Sequence, residues 1–178
     1  MGRGWCTGAV QTIDWGTDLF WAIDPGETKC GVAIFQHGRC VQALASTPDE
    51  CLDKLWEHLG YDPEGPTRPR GVVLETFALR ADLAAQQTGS EMGTSQMIGA
   101  VRWMCRHREA PLVMQTPRQA HSIDENPGTE PFRSWPLRRW ASYGQGRDAK
   151  MAERHGLFRV STSWETRAQR ETWRVSMS

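Results

Sequence analysis

The apolar pattern opens with Leu19-Phe20-Trp21-Ala22-Ile23, ends on Asp24, turns at Pro25-Gly26 and resumes as Gly31-Val32-Ala33-Ile34-Phe35. Continuous apolar runs of this length, bounded by turn residues, read as buried strands. His37-Gly38 can supply the positive φ of a tight turn, and "RCVQALAS" alternates like a third, partly exposed strand, so the three form a meander. "TPDECLDKLWEHLG" carries helix signals: Thr47 as the cap, Pro48 at the first helical position, Glu50 completing a capping box, and a stripe of Leu52, Leu55, Trp56 and Leu59 before Gly60. The Pro/Gly-rich "YDPEGPTRPR" then leads into "GVVLETF", a β-branched run expected as a buried strand. A second helix is expected in "TGSEMGTSQMIGAVRWMCRHRE", with Met97, Ile98, Val101, Met104 and Cys105 on one face and Pro111 as its stop. "PLVMQTP" reads as a further short strand, the following "RQAHSIDENPGTEPFRSWPLRRW" shows no clear period, and "GRDAKMAERHGL" reads as the last helix.

This order predicts an α/β domain: a mixed sheet with an antiparallel three-strand meander and flanking helices. Residues 1–17 are expected as a leader, 18–160 as the domain and 161–178 as a polar tail. The 178 residues suit one domain with a real core.

Charge changes the picture more than composition does. The net charge is zero, yet residues 1–100 hold seven Lys and Arg against thirteen Asp and Glu, and residues 101–178 hold fourteen against eight. The basic half is almost all arginine and contains Trp103, Trp135, Trp140, Trp164 and Trp173. Guanidinium forks and aromatic faces suit a nucleic-acid backbone and its bases, although a solvated surface over core tryptophans has the same composition. Five cysteines without a C-x-x-C indicate neither a disulfide framework nor a zinc site. With no apolar stretch long enough for a bilayer and no signal-peptide pattern, a soluble cytoplasmic protein is expected.

Two acids stand where apolar strands end. If the first strand and "GVVLETF" lie side by side, Asp24 and Glu75 meet at one end of the sheet. Two carboxylates about 4 Å apart repel by about 4 kcal/mol at an effective dielectric of about 20, and a divalent cation is the usual remedy. Hard oxygen donors favour Mg²⁺ or Mn²⁺ over zinc. Asp148, at the start of the last predicted helix, is a candidate third acid. Each acid alone has an ordinary reading, as a turn residue, half of a salt bridge, or a helix-start acid.

"WAIDPGETKCGVAIF", "GVVLETF", "MIGAVRWMCRHREAPLVMQTPRQ" and "GQGRDA" together resemble the successive motifs of the RuvC-type Holliday junction resolvases, in the ribonuclease H-like superfamily, particularly the short bacteriophage versions. The resemblance runs from about residue 20 to residue 157. It implies a metal-dependent endonuclease that resolves four-way DNA junctions as a homodimer, in the host cytoplasm if phage-encoded. It also implies two Mg²⁺ ions per site, replaceable by Mn²⁺, held by Asp24, Glu75 and Asp148. Gln145 stands where the family has a second Asp or a His, a weaker ligand at that position. His155, two helical turns beyond Asp148, is then either a substitute ligand or an ordinary surface histidine. Phe77 is the candidate to stack on a base at the junction, and Arg102, Arg106, Arg118, Arg138 and Arg139 are the candidates for backbone phosphates. Alternatives within this likeness are a nuclease for RNA precursors and a junction-binding module with a weakened site.

Overall fold

The computed structural model describes residues 13–60, 68–76, 93–125 and 146–163. Among them are strands β1 (Phe20–Asp24), β2 (Cys30–Gln36), β3 (Arg39–Ser46), β4 (Gly71–Glu75) and β5 (Leu112–Gln115). The helices are α1 (Pro48–Gly60), α2 (Gly93–His107), α3 (Pro117–Glu125) and α4 (Arg147–Ser163). The strands form one sheet in the order β3-β2-β1-β4-β5. β1–β2 and β2–β3 are antiparallel, while β1–β4 and β4–β5 are parallel. The expected mixed sheet, with its meander, is therefore present.

The local devices that make the meander are visible. His37 (φ 52°) and Gly38 (φ 69°) both take positive φ, the backbone twist that joins two antiparallel strands tightly. α1 begins with a reciprocal capping box: Glu50 N–H donates to Thr47 Oγ1 at 3.3 Å, and Thr47 N–H donates to the Glu50 carboxylate at 3.2 Å. α2 ends before Pro111, with Glu109 at φ 54° and Ala110 N–H reaching back to the Cys105 carbonyl at 2.8 Å. This left-handed closure satisfies the last carbonyls that a helix otherwise leaves unpaired.

Alternation along the strands sends side chains to two layers. Trp21, Ile23, Val72 and Leu74 pack with Leu55 and Leu59 of α1 and Met97 and Val101 of α2. Phe20, Ala22, Phe35 and Val73 pack with Ala152, Leu157 and Val160 of α4. Each fully buried Val, Leu, Ile, Phe or Met side chain among these stabilises the fold by roughly 1.5–3 kcal/mol.

Three segments differ from expectation. The described end of the leader is docked on the sheet: Trp15 is buried, meets Phe20 edge-on at 5.2 Å and covers Gly71. α3 occupies a stretch that shows no period, because a short helix with Ala120 against the protein needs no apolar stripe. α4 runs on to Ser163, and the Ser161 and Thr162 hydroxyls donate back to helix carbonyls instead of breaking it. Gly156 lies inside this helix because Phe35 fills the space: a Cβ there would sit 2.0 Å from the Phe35 ring.

Candidate active site

Asp24 ends β1 and Glu75 ends β4, and the parallel register Ile23↔Leu74 puts the two acids side by side at the C-terminal end of the sheet. By alternation both side chains lie on the α4 face, in line with Ala22 and Val73. Asp148, in the first turn of α4, is brought to them by Gly31, the β2 partner of Asp24. A Cβ on Gly31 would lie 1.9 Å from the Asp148 carbonyl oxygen, so the bare glycine lets the helix rest directly on the strand.

The electrostatics register this convergence. The Asp24 carboxyl is pushed from 3.8 up to about 7, first by burial, then by the charges of Glu75 and Asp148, with a small contribution from Cys30. Arg147 pulls in the opposite direction. Arg147 is thus a cation within reach of the acids that sequence reasoning did not single out; its place directly before Asp148 was the available signal.

His155 is neither a surface histidine nor a free ligand. It is fully buried, its Nε2 is hydrogen-bonded to Glu75 Oε2, and its Nδ1 lies 2.9 Å from Gln115 Oε1. Gln115, at the end of β5, is also buried and was missed by the sequence reading. The signal was there: "VVLE" and "LVMQ" are similar runs, each ending on a polar residue, and they pair in register as Val72–Glu75 and Leu112–Gln115.

No protein-family model and no curated protein matches this sequence. Solved structures do. The T. thermophilus RuvC in complex with a Holliday junction substrate superposes with a TM-score of 0.57 at 15% identity, covering 87% of this chain and 97% of that one. Looser matches are a second Thermus thermophilus RuvC structure (TM-score 0.47, 16% identity, 86% and 97% coverage) and the yeast mitochondrial Holliday junction resolvase (TM-score 0.39, 14% identity, 95% and 88% coverage). The chain has the RuvC-type, ribonuclease H-like fold.

Within this RuvC-type fold, the donor chemistry at the strand ends fits a hard divalent cation. Acids from three elements stand near one another here, and the burial and neighbouring negative charge that raise Asp24 are what a cation would relieve. They do not form a closed cage: among the described residues no three His, Cys, Asp or Glu side chains make a ready-spaced metal cluster. Gln145, Phe77, Arg138 and Arg139 lie outside the described residues.

The remaining arginines separate into two places. Arg118 is exposed in the first turn of α3, three residues beyond Gln115, and so stands at the acid end of the sheet. Arg102 and Arg106 are exposed on α2, whose first residue, Gly93, abuts Glu27 beside the Asp24 turn. At 1.5 Å per residue they stand about 14 and 20 Å along the helix from that end. They line a groove with Gly99, Trp103, Ala110 and Leu112. Trp103 is 57% exposed and stacks on Trp56 and His107 at 5.5 and 5.1 Å, while the Arg108 guanidinium covers the Trp56 ring at 4.0 Å. Among the described residues no helix is long and apolar enough to cross a membrane.

Proposed function

We propose that this chain is a divalent-metal-dependent endonuclease that cuts branched DNA, with four-way junctions as its substrate and a homodimer as its active form. The observation that carries this reading is the raised Asp24 carboxyl: burial and two further acids, from β4 and α4, act on one strand-end aspartate. Such an arrangement destabilises the protein and has a chemical use once a cation is present. The fold shared with a RuvC solved on a Holliday junction supports the choice of substrate.

Asp24, Glu75 and Asp148 would hold the metal, with Gln145 as a neutral fourth donor. Two Mg²⁺ ions, if held there, would supply Lewis-acid chemistry: a lowered pKa for the attacking water and charge stabilisation for the 3′ leaving oxygen. The chain's own part is to hold its acids in place. Asp24 stands on a central strand of the sheet, hydrogen-bonded on both sides, so its backbone has little freedom. Glu75 is oriented by His155 from beneath. Arg147, beside Asp148, and Arg118, at the same sheet end, are cations available to the scissile strand's phosphates. Arg102 and Arg106 would neutralise the backbone farther out, Arg138 and Arg139 would add phosphate contacts, and Phe77 would stack at the junction. Two copies are needed because symmetric resolution cuts two strands.

The test is a cleavage panel of four-way junction, linear duplex and structured RNA in Mg²⁺ and Mn²⁺. The expected result is cleavage of the junction alone, with Asp24→Asn, Glu75→Gln and Asp148→Asn each slower by about 10³-fold while junction binding persists. Glu75→Gln cutting at near wild-type rate would overturn the assignment, and preferential cutting of RNA would move the substrate to RNA precursors.

A further inference from the structure

Glu75, Gln115 and His155 come from three different elements and meet on one face of the sheet. Glu75 and Gln115 are register partners on the parallel strands β4 and β5, so their side chains point the same way, toward α4. His155 descends from α4 between them. It is 0% exposed and Gln115 is 2% exposed, whereas Glu75 keeps 16% of its side chain open. The trio thus runs from the core outward and ends at the acid.

Buried polar groups persist in folded proteins when their hydrogen bonds are made, and here both ring nitrogens are engaged. Nε2–H donates to Glu75 Oε2. The Gln115 amide faces Nδ1 at 2.9 Å, and an amide can accept from Nδ1–H or, rotated, donate to a bare Nδ1. With Nε2–H committed to the carboxylate, the ring has a partner on each side whether Nδ1 is bare or protonated. A glutamate on its own has three rotatable bonds and swings freely at a strand end. Tied through Oε2, it keeps Oε1 without a hydrogen bond from any described residue, on a side chain that is 16% exposed. The same helix carries Asp148, so the bond also ties the position of the third acid to that of the second.

We propose that His155 and Gln115 are positioning residues for Glu75: a buried relay, Gln115 to His155 to Glu75, that holds this carboxylate in the orientation in which it binds metal. The metal-binding part rests on the reading of Glu75 given above. Groups behind a metal ligand typically change affinity or activity by about 10–100-fold when removed.

Gln115→Met is the sharpest variant, since it keeps length and volume, leaves both groups of the His155–Glu75 hydrogen bond in place, and removes the partner of Nδ1. His155→Gln is the second variant. The readouts are Mn²⁺ affinity of the DNA-free protein by electron paramagnetic resonance, junction cleavage at saturating Mg²⁺, and the Glu75 position in crystals of each variant. The expected result is Mn²⁺ binding weakened about 10-fold or more in Gln115→Met with a native circular dichroism spectrum, and no further loss when Gln115→Met is added to Glu75→Gln. Wild-type Mn²⁺ affinity in Gln115→Met would overturn the proposal, even if His155→Gln fails to fold. If Asp24→Asn leaves Mn²⁺ binding unchanged, the metal reading fails on its own, and the crystals then decide the relay: a Glu75 carboxylate in its wild-type place in Gln115→Met overturns it, and one swung into solvent supports it.

Discussion

On the face of the sheet covered by α1 and α2, the layer of Trp21, Ile23, Val72 and Leu74 continues to the strand ends and closes against Leu55 and Val101. On the face beneath α4 the layer begins the same way, with Phe20, Ala22 and Val73, but gives way at the C-terminal ends to Asp24, Glu75, Gln115 and His155. The strands are the same, and only the parity of the position differs. The comparison teaches that stability and chemistry are divided here by face: one side can be read as packing alone, and the other sacrifices packing at its rim to hold charge.

Exchanging one substitution from each face should separate the two roles most clearly. Asp24→Asn is expected to slow junction cleavage by about 10³-fold while making the metal-free protein more stable at neutral pH. Leu55→Ala is expected to cost about 2–5 kcal/mol of stability and leave the rate per folded molecule near wild type. Urea unfolding with parallel cleavage assays measures both, and a Leu55→Ala protein that is stable but inactive would break the division.

pH probes the charged face alone. Asp24 takes up its proton below 3.8 in the unfolded chain and below about 7 in the folded protein. Between those values the folded state binds the extra proton, so the metal-free protein should lose stability as pH rises from about 4 to about 7 and stay low above it. The ceiling is about 4 kcal/mol at 1.36 kcal/mol per pH unit, lowered by the partial exposure of the side chain. Melting curves across this window should show the decline in wild type and its loss in Asp24→Asn. Mg²⁺ added at pH 8 should restore stability only to wild type.

Gly31→Ala tests the contact that seats the third acid. The new methyl would meet the Asp148 carbonyl, so α4 must lift. A loss of about 1–3 kcal/mol is expected, together with slower cleavage, whereas an enlarged residue on the α1 side of the sheet should lower stability only. The smallest expected effect belongs to a cap on the packing side: Thr47→Ala should cost about 1 kcal/mol in thermal unfolding and leave cleavage unchanged.

The strands, the hairpin and α1 were legible because their signals are local. An apolar run bounded by Pro25-Gly26, the positive-φ pair His37-Gly38 and the box Thr47-Pro48-Asp49-Glu50 each act within a few residues. α3 carries a similar local signal, Thr116-Pro117-Arg118-Gln119, in which Thr116 N–H donates to Gln119 Oε1 at 2.7 Å. It passes unread because no apolar stripe follows. The acids Asp24 and Glu75 were legible as anomalies, charge at the end of apolar runs, and a charge there demands an explanation from sequence alone.

What only the tertiary structure decided lies where residues distant along the chain touch. His155 reaches Gln115 across 40 residues and Glu75 across 80, and in the sequence it is one histidine on a polar helix. Gly31 looks like an ordinary glycine opening a strand until Asp148 is packed on it. Periodicity and caps report the free energy of a segment with itself. The orientation of Glu75 and the seat of Asp148 follow from how α4 lies across the sheet, an arrangement set by complementary surfaces such as Gly156 against Phe35 that no local pattern encodes.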